Sequence, residues 1–212
     1  MKKFKLILNI ILILFISISK SYSLVEVDIT RGNLNPLPIA VSPLFQDNNS
    51  NTFFEKELEI EDIGSEISKV IENNLKQSGL FNPLSKDAFL QKPDIAHLKP
   101  RFEDWALIKS QALITGKVTA VNEKLKVEFR LWDVLAGREM LALAFTTVPS
   151  NWRRVGHIIT DKVYQRLTGE KGYFDTRIIY VSEEGPKTQR IKKLAIMDQD
   201  GFNTKYSVSY TH

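Results

Sequence analysis

The sequence contains 212 residues, of which 43% are apolar, and this suits one domain with a core, or one domain and a fragment of another. The net charge of +4 arises in residues 1–23, which hold four lysines and no acidic residue; the remaining chain has 25 basic and 25 acidic residues. This balance removes the main compositional argument for nucleic acid or anionic lipid as a partner. The absence of cysteine excludes disulfides, thiol nucleophiles, Cys-based zinc or iron–sulfur sites and an acylated lipoprotein cysteine.

The first 23 residues have the composition of a secretory signal. Residues 1–5 are basic, residues 6–18 are almost wholly apolar, and Ser21 and Ser23 give the small-x-small pattern that signal peptidase reads. An uncleaved membrane anchor is the alternative, but a spanning helix needs about 20 apolar residues. We therefore expect cleavage after Ser23 and a soluble product in the periplasm.

Residues 24–79 predict two strands and a long helix. Residues 25–29 alternate between apolar and polar, which is typical of a strand with one apolar face. Residues 37–44 predict a second, more buried strand, and the Asn-rich residues 46–52 predict a loop. Apolar residues then recur at helical spacing up to a stop at Gly79. They are Ile60, Ile63, Ile67, Val70, Ile71 and Leu75.

Residues 81–148 predict an antiparallel meander. Residues 81–100 have no regular pattern, and residues 101–109 favour a short helix with Phe102, Trp105 and Ile108 on one side. Short turns then separate three strand-like runs, as in antiparallel hairpins. The runs cover residues 112–121, 124–134 and 138–148.

A second long helix completes the first domain. Ser150 is predicted to cap this helix, and Gly169 to end it. Its apolar stripe consists of Trp152, Val155, Ile159, Val163 and Leu167. The interspersed elements predict an α/β fold, in the loose sense of a mixed sheet with two long helices packed on it, within residues 24–169.

Residues 170–212 predict a linker and a few further strands. Strands are expected over residues 177–182 and 191–197, with a turn at residues 198–201 and a third strand from Tyr206. Because a hairpin alone is marginally stable in water, we expect residues after about Asp175 to be weakly packed. Residues 24–169 contain both long helices and all five expected strands, so we expect them to fold by themselves.

The segments, taken in order, resemble the TolB family. The resemblance runs from residue 24 to about residue 203, and residues 191–201 resemble the first outer strands of the family's propeller. The other stretches that carry it are Thr30-Arg31-Gly32, Pro38-Ile39-Ala40-Val41, Glu61-Asp62-Ile63-Gly64, Leu75-Lys76-Gln77-Ser78-Gly79-Leu80-Phe81-Asn82-Pro83-Leu84, Trp152-Arg153-Arg154-Val155-Gly156-His157, Leu167-Thr168-Gly169 and Gly172-Tyr173-Phe174-Asp175-Thr176-Arg177-Ile178. The resemblance implies an N-terminal α/β domain followed by an incomplete β-propeller blade.

The resemblance also implies a periplasmic adaptor that is not an enzyme and carries no cofactor. Family members link the inner-membrane protein TolA to the outer-membrane lipoprotein Pal, in a system that supports outer-membrane integrity and constricts the envelope at cell division. The N-terminal segment of mature members contacts TolA, and the propeller binds Pal. A propeller needs about 4–8 blades. We therefore expect a truncated propeller here, and Pal binding only if the missing blades are supplied in trans.

The N-terminal segment of the mature chain is the candidate partner-binding site. An extended segment can add to the sheet edge of a partner through backbone hydrogen bonds. From the residues alone, an ordinary strand of the chain's own sheet is favoured; the resemblance instead favours contact with TolA. The candidate residues are Leu24, Val25, Glu26, Val27, Asp28, Ile29, Thr30 and Arg31.

Other polar side chains suggest no catalytic or metal-binding constellation, and we predict no metal site. His157 lies off the apolar stripe and is predicted at the helix surface. Arg153 and Arg154 are predicted on a solvated face, with anion binding as the alternative. Asp198 and Asp200 are predicted turn formers, because a calcium loop needs further ligands. Three tryptophans are predicted core or interface anchors: Trp105, Trp132 and Trp152.

Two other interpretations of function remain open. In the first, the chain is a non-functional fragment of a broken or split gene. In the second, it is a periplasmic ligand-binding protein or enzyme. An adjoining reading frame encoding further blades favours the adaptor, whereas a deep polar pocket with a bound small molecule favours the ligand-binding protein.

Overall fold

A mixed β-sheet with helices on both faces forms the first part of the molecule. The computed structural model of the protein describes residues 35–186 and 190–211. The predicted signal and the predicted strand at residues 25–29 lie outside these residues. The elements of the first part are β1 (Leu37–Val41), β2 (Phe45–Gln46), α1 (Asn48–Leu58), α2 (Ile63–Gln77), β3 (Phe81–Pro83), α3 (Pro93–Ala96), α4 (Phe102–Leu107), β4 (Ala112–Val121), β5 (Lys124–Asp133), β6 (Arg138–Thr147) and α5 (Trp152–Thr168).

The strand order of this sheet is β3-β1-β4-β5-β6, with β2 also paired to β4. β1 runs parallel to both of its neighbours, β3 and β4, whereas β4, β5 and β6 form an antiparallel meander. Parallel neighbours need a crossover connection, and α2 supplies it between β1 and β3. The predicted mixed α/β fold and the predicted meander are both confirmed.

Two apolar cores cover the two faces of the sheet. Ile39 and Val41 contribute to the larger core, in which the apolar stripes of α2 and α5 lie. Ala40, between them, faces the smaller core, which includes Trp105 of α4. The two predicted long helices therefore pack on one face, and Trp105, at 1% exposure, is confirmed as a core residue. The other two tryptophans pack partly buried against these cores, as predicted for anchors: Trp132 and Trp152.

The predicted loop at residues 46–52 is wrong, because β2 and α1 occupy this stretch. The Asp47 carboxylate accepts a hydrogen bond from the backbone N–H of Ser50 at 2.8 Å and caps α1. Phe54 of α1 is fully buried in the larger core. A cap and a single buried aromatic side chain thus stabilise a helix in a sequence rich in asparagine.

The helix α2 begins later than its apolar spacing predicts. Glu59, with φ of 58°, ends α1, and the Asp62 carboxylate caps α2 by accepting from the N–H of Ser65 at 2.9 Å. Ile60 therefore lies between two helices. Gly79 follows the end of α2 as predicted, but the irregular region predicted next is wrong, since it contains β3, a 3-10 turn (Lys86–Ala88) and α3.

The start of α5 also differs from the prediction. Ser150 lies within a 3-10 turn (Pro149–Asn151), and Asn151 occupies the N-cap position without a side-chain capping hydrogen bond. Gly169 ends α5 as predicted, in the left-handed conformation that favours glycine (φ 78°). The predicted short helix at residues 101–109 is confirmed as α4.

The second part is an antiparallel sheet of three strands, as the resemblance to the start of a propeller blade implies. It consists of β7 (Arg177–Glu184), β8 (Ile191–Asp198) and β9 (Lys205–Thr211), paired in that order. All three were predicted, and the described residues form no closed propeller. Among these residues, the helices are too short or too polar to span a bilayer.

Candidate functional site: a polar network between the helices and the second sheet

His157 is the centre of a buried polar network on α5. The prediction that it lies at the helix surface is wrong, because its exposed fraction is only 2%. Next to its apolar stripe, α5 buries a second stripe that faces α2 and consists of Gly156, His157 and Thr160. The polar members of this stripe need hydrogen-bond partners, since unpaired buried polar groups are costly.

Asn74 of α2 provides those partners. Its side-chain nitrogen lies 2.9 Å from Nδ1 of His157 and donates to the Thr160 hydroxyl oxygen at 3.3 Å. The Thr160 hydroxyl donates to the carbonyl of Gly156, and the Asn74 oxygen accepts from the side chain of Gln199 at 2.9 Å. With the amide in this orientation, Nδ1 of His157 is an acceptor, and the proton of the neutral ring lies on Nε2.

Gln199 belongs to the turn between β8 and β9, which inserts further groups. Arg153 of α5 forms an ion pair with Asp200 and stacks on Phe202, its guanidinium carbon 3.8 Å from the ring centroid. The side chains of Arg153 and Asp200 are only 15% and 9% exposed. The predicted solvated position of Arg153 is therefore wrong. The predicted turn is confirmed, since the N–H of Gly201 donates to the carbonyl of Asp198.

The linker that precedes β7 is also fixed to α5. Arg154 is 58% exposed at its side chain, as predicted, but it grips Asp175 through two nitrogens at 3.0 and 3.1 Å. Hydrogen bonding to Asp175, followed by its charge, raises the pKa of Arg154. The Asp161 carboxylate accepts from the N–H groups of Phe174 and Asp175, and Phe174 is 1% exposed. Phe174 and Asp175 are thus fixed to α5 immediately before the residues that were predicted to be weakly packed.

The second ring nitrogen of His157 has no hydrogen-bond partner among the described residues. Nε2 is buried and lies 3.7 Å from a carboxylate oxygen of Asp200. Burial lowers the pKa of His157; Asp200 opposes this shift and Arg153 adds to it. The imidazole is therefore neutral at pH 7, beside an aspartate whose charge Arg153 already balances.

His157, Asp198 and Asp200 place one possible metal-ligand atom each within 4.8 Å of the others, the one such grouping in the part of the chain that the structure describes. Two observations disfavour a cation there. The hydrogen bond from Asn74 leaves the proton of His157 on Nε2, and a metal ligand must be deprotonated. Arg153 already supplies a positive charge to Asp200. The arrangement is that of an ion-pair network.

A cavity of about 230 Å³ adjoins the network, at the start of α5. Three arginines line it, and each pairs with an aspartate: Arg153 with Asp200, Arg154 with Asp175, and Arg177 with Asp198. Its cationic groups are therefore largely compensated. These ion pairs and hydrogen bonds attach the second sheet to the helices, and we call this set of contacts the joint.

The predicted partner-binding residues 24–31 lie outside the described residues, as do Ser21 and Ser23. Among the described histidines, the other one lies away from the network: His97 ends α3 and stacks on Phe45 with ring centroids 4.5 Å apart. The network itself consists of residues that the sequence pattern did not group.

Comparison with known proteins identifies the family. The family described as the TolB amino-terminal domain matches residues 25–140, which is more than half of the chain. This chain belongs to the TolB family. The resemblance stated from the sequence is thereby confirmed.

Two relatives of TolB type extend the match. The chain is 78% identical over 202 residues to the Tol-Pal system protein TolB of Pelagibacter ubique (strain HTCC1062), covering 95% of this chain and 45% of that protein. The crystal structure of TolB from Acinetobacter baumannii superposes with a TM-score of 0.66 and 25% identity, over 82% of this chain and 39% of that one. The chain thus spans less than half the length of either relative.

Proposed function

We propose that this chain is a periplasmic adaptor of the Tol-Pal system that contacts TolA through residues 24–31. The observation that carries the proposal is the 78% identity to a Tol-Pal system protein TolB across 95% of the chain. The family match begins at residue 25, inside the proposed contact segment. The proposed consequence of the contact is support of outer-membrane integrity and of envelope constriction at cell division.

The proposed contact is strand addition. Val25, Val27 and Ile29 form one apolar face of an alternating segment, and the backbone of such a segment can pair with the free edge of a partner sheet. In this chain's own sheet both positions beside β1 are already filled, by β3 and β4.

Export is part of the proposal. Cleavage after Ser23 releases the chain into the periplasm with Leu24 as its first residue. Mass spectrometry of the N-terminus of the protein isolated from cells tests this step, and a product that keeps residues 1–23 contradicts it.

Pal is proposed as a partner only when further blades complete the propeller. The part of the described structure that resembles a propeller is a single three-stranded sheet, whereas a propeller has about 4–8 blades. Tight binding of Pal to the 212-residue chain alone contradicts this part of the proposal.

Calorimetric titration with the purified C-terminal domain of TolA tests the contact. The variant lacks residues 24–31, and its control carries a Gly/Ser segment of equal length in their place. We expect both to fold, as judged by circular dichroism, and both to lose measurable TolA binding. Binding with unchanged affinity after either change refutes the assigned segment.

A further inference from the structure

The turn between β8 and β9 is attached to the helices by groups that are buried but incompletely paired. Gln199 donates to Asn74, and Asp200 pairs with Arg153. Nε2 of His157, which carries the ring proton, lies 3.7 Å from a carboxylate oxygen of Asp200, and this is beyond hydrogen-bond distance. Of the titratable groups at this joint, His157 is the one that titrates near neutral pH, and its buried Nε2 has no hydrogen-bond partner among the described residues.

We propose that His157 is a pH-sensitive latch: neutral, it permits the β8–β9 turn to dock on α2 and α5, and protonated, it favours release of that turn. The docked ring is enclosed on one side by Asn74, whose amide donates to Nδ1. A doubly protonated ring has no lone pair at Nδ1, so after protonation the Nδ1–H of His157 and the side-chain N–H of Asn74 are two donors that face each other. Gln199 of the turn donates to the Asn74 side-chain oxygen at 2.9 Å and so holds the amide nitrogen toward Nδ1. Docking of the turn therefore selects the neutral ring.

The charged groups around His157 act in both directions. Asp200 and Asp198 face it from the turn and Asp175 from the linker, and all three favour the imidazolium. Burial, which is the largest effect, and Arg153, on the same helix, disfavour it, and together they prevail, so that the pKa of His157 in the docked structure lies below its ordinary value. α2 adds no charge here, since Asn74 is neutral.

The direction of the pH effect follows from proton linkage. When the turn is undocked, its residues no longer cover His157, so the pKa of the ring moves toward the ordinary value of about 6.5, whereas in the docked state its pKa is lower. The docked state is therefore fully favoured above the ordinary value and loses stability as the pH falls below it. One proton is linked, so the docking constant falls by up to about tenfold per pH unit between the two pKa values.

The contacts of the linker before β7 keep that linker attached to α5 when the β8–β9 turn is released. Asp161 holds the N–H groups of Phe174 and Asp175, and Arg154 grips the Asp175 side chain. None of these groups is hydrogen-bonded to the His157 ring, and Asp175 acts on the ring only through its charge, so these contacts remain in place when the turn leaves. Release thus pivots the second sheet about residues 174–175.

Fluorescence energy transfer measures the docking directly. The chain contains no cysteine, so Lys69→Cys on α2 and Lys192→Cys on β8 introduce unique labelling sites. Both side chains are well exposed, at 57% and 46%. In the full chain we expect transfer efficiency to fall between pH 7.5 and pH 5. Constant transfer over this range overturns the proposal.

His157→Gln and His97→Gln form the matched pair. We expect His157→Gln to abolish the pH dependence and His97→Gln, far from the joint, to retain it. A pH-dependent fall that survives His157→Gln overturns the latch. If His157→Gln is undocked at every pH, nuclear magnetic resonance decides: in the unsubstituted chain the His157 ring and the Gly201 amide must titrate with one shared midpoint. Separate midpoints overturn the proposal.

Discussion

Gly156 of α5 lies against Val70 of α2 so closely that a Cβ atom on Gly156 would stand 2.9 Å from Cγ1 of Val70. This close approach of the two helices places Asn74 within hydrogen-bond distance of His157. The polar network therefore depends on a residue without a side chain, Gly156, which directly precedes His157 in the chain.

Gly156→Ala is expected to destabilise the protein. The added methyl group overpacks a buried contact, which costs about 1–3 kcal/mol, while alanine in a helix recovers at most about 1 kcal/mol. We expect the free energy of unfolding to fall by up to about 2 kcal/mol, measured by urea denaturation. In a double-mutant cycle with Val70→Ala, the free energy of unfolding of the double variant is expected to fall by less than the sum of the decreases in the two single variants. Strict additivity contradicts the contact.

Asp161→Ala is expected to loosen the linker before β7. It leaves the N–H groups of Phe174 and Asp175 without their acceptor, and unsatisfied buried donors cost about 1–3 kcal/mol. Asp161→Asn keeps one acceptor and is expected to cost less. Hydrogen exchange at Phe174 should accelerate in both variants. The control, Asp87→Ala in an exposed turn, should change stability by no more than about 0.5 kcal/mol; equal losses at both positions contradict the assignment.

Asn74→Asp is expected to reverse the pH dependence of the joint. The new carboxylate faces Nδ1 of His157 and favours the imidazolium, so the pKa of the ring rises above its ordinary value. Stability gained in this way is present below the ordinary pKa and is lost as the pH rises through the raised one. Compared with the unsubstituted chain, the variant should be most stable near pH 5 and least stable near pH 8 in denaturation experiments. An unchanged pH profile contradicts the hydrogen-bond assignment.

Much of the sheet and both long helices were predictable, because their apolar periodicity is unbroken. Every residue of the predicted α5 stripe from Val155 to Leu167 is buried. The prediction failed at α1, where a cap and one aromatic residue decide the structure. Ile60 fits the spacing of α2, yet the left-handed Glu59 and the cap at Asp62 separate it from the helix.

The polar network was not predictable from periodicity, since its members are far apart in the chain. Asn74 and Gln199 are 125 positions apart, and each is a polar residue in a segment with other polar residues. The available signal was the spacing of Gly156 and Thr160, a small pair four residues apart that marks a close helix contact. His157 lies on the same face of α5 as these two residues, so it faces α2 and not the solvent.

We propose that residues 24–169 fold by themselves, although residues beyond them contribute stability. A chain ending at residue 169 lacks Phe174, Gln199 and Asp200, and so leaves Asn74 and His157 without part of their network. We expect a single cooperative unfolding transition in calorimetry, at a lower temperature than for the longer chain. A broad transition without cooperativity contradicts the proposed domain.

Val27→Pro and Val27→Ala separate backbone from side-chain recognition in the proposed TolA contact. In strand addition the backbone supplies the hydrogen bonds, and proline removes one donor and fixes φ, whereas alanine removes only part of an apolar side chain. We expect Val27→Pro to weaken TolA binding by at least about tenfold, since loss of a ladder hydrogen bond is accompanied by distortion of the strand.

The alanine variant provides the comparison. Its expected loss is a few-fold, because strand propensities differ by about 1 kcal/mol over the whole scale. Residue 27 lies outside the described residues, so unfolding curves are measured for both variants, and curves that match that of the unsubstituted chain assign any loss to binding. If Val27→Ala proves as damaging as Val27→Pro in calorimetry, the contact depends on the side chain, and strand addition is the wrong mechanism.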